Sequence, residues 1–211
     1  MEERLSIACA IHDRTLAEAY LFASLDAIEG DQPTRFMLGN EGNVVTTNLA
    51  HLYNILKRLD GPPVRLYLHP DVVFEPDFVR RIRSAVDGLE QSERRWGAIG
   101  TVGRSWEGEY VWGHEITEPV EVCTLDACCM AIDTRHGILF DERTFDGFHC
   151  HVEDYCLQAH AAGLGVYVVP AELRHIGATY ATEGARWGSY PKYRRRLKRK
   201  WQRRFPDFTT T

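Results

Sequence analysis

The chain has no run of about 20 apolar residues, so nothing in it reads as a membrane-spanning helix. It has no C-x-x-C pair and no zinc-ribbon spacing; the six cysteines are Cys9, Cys123, Cys128, Cys129, Cys150 and Cys156. Scattered in this way they read as buried free thiols of a reducing cytosol, with a disulfide between two distant ones as the alternative. There is no H-E-x-x-H spacing, no internal repeat and no low-complexity tract. A glycine- and lysine-rich phosphate loop is missing near the start, where "AIHDRTLAEAY" offers only Arg14. That absence counts against a nucleotidyltransferase. The opening "MEERLSIACA" lacks the layout of a signal peptide. What is left is the expectation of a cytoplasmic globular protein, and 211 residues suffice for one domain with a sizeable core.

Charge is present but unevenly spread. From Tyr190 onward, "YPKYRRRLKRKWQRRFPDFTTT" holds nine of the 25 Lys and Arg and one acid, a net +8. Residues 1–189 therefore carry −13, although the whole chain is only −5. Such a split predicts either a basic arm for an anionic partner or a helix docked on the protein's own acidic body. Leu197, Trp201 and Phe205 recur every four residues, which predicts an amphipathic helix with membrane or an anionic acceptor as its partner. Nucleic acid is disfavoured by the acidic body.

The pattern of elements is more informative. "LSIACAI" is a compact apolar strand. "HDRTLAEAYLFASLDAIEG" reads as a helix opened by a Thr15–Glu18 capping box. "TRFMLGN" is a second strand. Leu49, Leu52, Tyr53 and Leu56 mark a second helix, started by Thr46 or Thr47 and stopped by Gly61-Pro62-Pro63. "VRLYL" is a third strand, and Phe78, Ile82, Ala85 and Leu89 mark a third helix. Strands alternating with helices predict an α/β sandwich around a central sheet with parallel strands. Ligands of such sheets bind beyond the strands' carboxyl ends. Those ends are Ile11-His12-Asp13, Gly39-Asn40-Glu41 and His69-Pro70-Asp71. All are polar, and they line one edge. His69 and Asp71 either cap a turn there or hold a ligand.

The second half contributes a strand "WGAIGTVG", a loop and hairpin containing Trp106, Tyr110 and Trp112, and a strand in "VCTLDACCMAIDT". A helix from about Glu153 to Ala162 and a strand stopped by Pro170 follow. The boundary between this domain and the basic tail is expected near Gly188, giving 1–188 and 189–211.

In order, "LYLHPDVVF", "GAIGTVG", "VEVCTLDACCMAID", "FDERTFDGFHCHVEDYCLQAHAAGLGVYVVP" and "LRHIG" resemble glycosyltransferases of the GT-A fold, family 2 type. The similarity is to a short branch whose metal motif begins with histidine, and it covers roughly residues 5 to 180. It implies a mixed central sheet and an inverting transfer of a sugar from a nucleotide-diphosphate donor to a saccharide or lipid-linked acceptor hydroxyl. The implied cofactor is Mn2+ or Mg2+, with imidazole ligands favouring Mn2+. Asp71 stands where the family's metal motif has its last aspartate, with His69 at its first position and His175 where relatives carry a metal-binding histidine. Asp154 aligns with the catalytic base, with Glu153 as its understudy. Asp126 matches an acidic residue near donor sugar or acceptor. His12, Asp13, Asn40, Glu41 and Asn54 are nucleotide-pocket candidates. Trp106, Trp112, His149 and His151 are acceptor candidates or, equally, loop and core residues. Gly39 replaces the aspartate with which relatives often read the base. That departure leaves the nucleotide open and keeps a non-catalytic nucleotide- or partner-binding module as the alternative. An oligomer is compatible with all of this.

Overall fold

The computed structural model describes residues 4–177 and 189–211. The domain boundary expected near residue 188 lies outside them. Strand β1 (Leu5–Ile11) leads through α1 (Arg14–Ala17), a π-helical turn (Glu18–Phe22) and α2 (Ala23–Asp26) to β2 (Thr34–Gly39). Asp13, not Thr15, caps this helix: its Oδ1 accepts from the Leu16 amide at 2.9 Å. After α3 (Leu49–Lys57) come β3 (Val64–Leu68), β4 (Val72–Phe74) and α4 (Phe78–Gln91). Asn48 rather than either threonine caps α3, accepting from His51 N. Asn48 directly precedes Leu49, so its side-chain amide oxygen reaches one of the orphan amides of the first turn.

The second half adds β5 (Trp96–Gly100), β6 (Val102–Arg104), β7 (Tyr110–Trp112), β8 (Val120–Glu121), β9 (Thr124–Leu125) and β10 (Cys129–Asp133). Helix α5 (His151–Ala161), β11 (Gly165–Val168), β12 (Leu173–His175) and α6 (Tyr190–Trp201) complete the described elements. "VCTLDACCMAIDT", expected as one strand, is two, because the turn at Asp126 separates β9 from β10.

The central sheet has seven strands in the order β2-β1-β3-β10-β5-β11-β8. β1 runs parallel to both β2 and β3, and β10 is antiparallel to β3 and β5. β1 is buried along its whole length. Leu5, Ile7, Cys9 and Ile11 face the cluster under α4, while Ala8 and Ala10 face the cluster under α3 and α5. This period-two alternation with apolar residues on both faces is what a covered sheet demands. All six cysteines are free and buried.

A small sheet pairs β12 with β4 antiparallel, matching His175 to Val72. This pairing carries residue 175 back to the edge where β3 ends. A third cluster forms where α6 docks: Tyr193, Leu197 and Trp201 pack with Phe145, Cys150 and Leu157. The apolar stripe of the tail is thus turned inward, and Phe205 rests on Trp106 and Trp201. It is not available to a membrane. No helix among the described residues is long and apolar enough to cross one.

Candidate functional site

The carboxyl edge of β3 brings three residues together. Asp71 is completely buried. Its Oδ1 lies 3.2 Å from His175 Nε2 and 3.7 Å from His69 Nδ1, and the two imidazoles approach to 3.4 Å. One ligand atom from each residue lies within 4.8 Å of the others. Burial alone works to raise the Asp71 carboxyl, but hydrogen bonds from His175 and His69 outweigh it and hold it well below the usual carboxylate range. Two partly exposed imidazoles and one buried carboxylate oxygen, converging, fit a divalent first-row cation. Donors about 3 Å apart suit metal bonds of about 2.1 Å.

His69 and His175 open onto a cavity of about 300 Å³. His12 and Ala10 line it from β1 and the turn after it, Leu49 and Tyr53 from α3, and Asp126 and Ala127 from the turn before β10. On the far side stand Phe148, His149, Cys150 and Glu153 at the start of α5. Cys150 precedes that helix in the left-handed region, φ 64°. A non-glycine residue held there signals local strain, which accumulates at functional sites. Glu153 is buried, and desolvation pushes its carboxyl from 4.5 up to about 8. Asp126 fixes its turn by accepting from Cys128 N at 2.8 Å.

Its neighbour on α5 faces elsewhere. Asp154 accepts from Trp201 Nε1 at 2.6 Å, from Lys200 Nζ at 2.8 Å and from Gln158 at 2.8 Å. Burial still raises its carboxyl above the ordinary value, despite Lys200 and Trp201. Its oxygens are committed to holding α6, and it does not line the cavity. One step along a helix turns a side chain by about 100°, enough to send adjacent acids to different places.

Several expected site residues have structural duties instead. Asn40 is buried and binds its own loop, donating to Thr46 O and accepting from Val45 N and Thr46 N. Asn54 pins Phe140 through both its main-chain groups. Glu41 accepts from the Arg14 amide, and Asp13 is the cap already described. Trp106 packs on His160 and Phe205. His151 lies edge-on against Tyr53, and burial pushes it down to about 3. None of these six lines the cavity. Trp112 stays largely exposed beside Tyr110, which does line it. Tyr190 and Thr211, also in the wall, were missed. Nothing local signals them, because they arrive only when the tail folds back.

Comparison with known proteins fits this geometry. No family model matches the chain. A protein of Fuscovulum blasticum named "ATP synthase subunits region ORF 6" is 25% identical over 167 residues. The match covers 72% of this chain and 64% of that relative. Among solved structures, GalNAc-T7 with UDP, GalNAc and Mn2+ is similar over 98% of this chain and 50% of its own, with 11% identity and a TM-score of 0.65. Staphylococcus aureus TarS in complex with UDP-GlcNAc gives 11% identity and a TM-score of 0.60, over 94% of this chain and 66% of that one. The fold is GT-A. A Drosophila β1,4-galactosyltransferase 7 complex with manganese, UDP-Gal and xylobiose shares this GT-A fold at 13% identity and a TM-score of 0.51, over 86% of this chain and 74% of that one. The GT-A frame explains why the cavity sits at the carboxyl ends of β1 and β3.

Proposed function

We propose that the protein is a divalent-metal-dependent glycosyltransferase that moves a sugar from a nucleoside-diphosphate donor to an acceptor hydroxyl with inversion. The observation that carries this is the His69–Asp71–His175 cluster facing, across one cavity, the buried carboxyl of Glu153. A cation there would be held by those three side chains and would stabilise the charge of the departing diphosphate. Two imidazoles favour Mn2+ over Mg2+. His12, with Leu49 and Tyr53, forms the wall assigned to the nucleoside. Asp126 is assigned to the donor sugar's hydroxyls. His149 and Tyr110 are assigned to the acceptor side.

Glu153 rather than Asp154 is the general base in this reading. A carboxylate raised to about 8 accepts a proton more strongly than a solvated one, and only Glu153 faces the cavity. A saccharide and a lipid-linked glycan both present the acceptor hydroxyl this reaction needs.

The test is thermal melting with UDP, GDP, TDP, CDP and ADP, each with and without Mn2+. Binding to the folded state raises the melting temperature by mass action. A manganese-dependent rise with one nucleotide is expected, and Asp71→Ala should remove it. Equal shifts with and without the cation, or none for any nucleotide, would refute the assignment.

A further inference from the structure

The docking of α6 buries one face of a very basic helix and leaves the other bare. Tyr193, Leu197 and Trp201 point inward. Arg196 and Lys200 meet Asp146, Asp141 and Asp154 at the seam. Arg195 and Arg199, one turn apart, project from the opposite side, with Lys198 beside them and Arg203 just beyond the helix end; all four are exposed. Among the described residues none of these four has a carboxylate partner. Their charge is not used in holding the fold together.

We propose that this outer face of α6 adsorbs to an anionic phospholipid surface. Three observations select that occupant. The face is convex and about 18 Å long, at 1.5 Å per residue over 12 residues, so it presents its charges to a surface rather than enclosing a strand. The exposed residues of α6 include no aromatic side chain, since Tyr193 and Trp201 are buried, whereas single-stranded nucleic acid is held in grooves by stacking. Residues 1–189 carry −13, so the outer face of α6 is the concentrated patch of opposite sign through which an anionic surface would be met. The apolar stripe is already buried in the protein, so adsorption is electrostatic, without insertion, and sensitive to salt. Helix α6 begins at the cavity wall with Tyr190. Adsorption therefore holds the cavity close to the surface.

The test uses the full chain with vesicles of phosphatidylcholine alone and of phosphatidylcholine mixed with phosphatidylserine. Sedimentation with the anionic vesicles only, reversed by salt, is expected. Each basic residue near such a surface multiplies partitioning by about five, so Arg195→Gln, Lys198→Gln, Arg199→Gln and Arg203→Gln combined should weaken it a few hundred-fold. The four side chains are exposed, so the melting temperature of the variant should match that of the parent. Binding by the variant within about threefold of the parent would overturn the proposal, as would equal binding to both vesicle types. Tighter binding to a nucleic-acid duplex than to anionic vesicles at the same salt would also overturn it, reassigning the face. None of these readings uses the nucleotide or the cation, so the glycosyltransferase assignment stands or falls separately.

Discussion

Replacing each of the adjacent acids on α5 by its amide separates a catalytic from a structural role. Asp154→Asn keeps an oxygen for Trp201 Nε1 but replaces a charged acceptor by a neutral one, which costs about 1 kcal/mol. It also removes the 2.8 Å ion pair with Lys200. Lys200 keeps Asp141, at 2.8 Å, so its ammonium is not stranded and the full 3–5 kcal/mol of a broken buried pair does not apply. The net loss is about 2 kcal/mol, or roughly 4–8 °C in melting temperature for a chain of this size. Transfer measured well below that temperature should stay within about threefold. Glu153→Gln should do the reverse: little or no loss of stability, and a fall in kcat of about 10²–10⁴. The assay is transfer from the nucleotide sugar identified by melting, with circular dichroism on both variants. The reasoning fails if Asp154→Asn, folded and still binding donor, loses more than about a hundredfold in kcat while Glu153→Gln remains active.

In metal-free protein, the Glu153 acid is favoured by folding, so its contribution is complete below the ordinary 4.5 and is lost as pH rises to about 8; Glu153→Gln should become progressively more stable than the parent across that window in melting curves. Asn40→Ala removes four hydrogen bonds inside the 40–46 loop, a loss of about 2–3 kcal/mol, and should leave nucleotide affinity unchanged by calorimetry. His175→Ala should abolish the manganese-dependent shift as fully as Asp71→Ala, and the shift surviving would remove β12 from the metal site.

The sheet was legible because its strands are apolar on both faces and its helices keep one apolar stripe, patterns that survive in a linear reading. The grouping that makes the candidate site was legible in part. His69 and Asp71 lie at a strand end, where ligands of such sheets collect, and His175 follows a recognisable run. What brings them together is the β4–β12 pairing, between segments about a hundred residues apart, which no local pattern encodes. Polar residues near strand ends and on α3, expected in a nucleotide pocket, have structural partners for a physical reason. Asp13, Asn40 and Asn54 have the chemistry of a nucleotide pocket and equally that of a cap, a loop tie and a main-chain clamp. Main-chain groups need partners in every fold, so those duties claim most such side chains. The sequence reading favoured Asp154 over Glu153 as the base; that Glu153 is the one lining the cavity was not readable, since it depends on where α6 lies.

The contact between Asp154 and Trp201, 47 residues apart, also bears on how the molecule is made. Synthesis runs from the N-terminus at a few residues per second to about twenty. While residues 190–211 are still inside the ribosome, α5 has a carboxylate with neither Trp201 nor Lys200 to receive it. The Asp154 carboxylate therefore gains its indole and ammonium partners only after residues 190–211 have emerged.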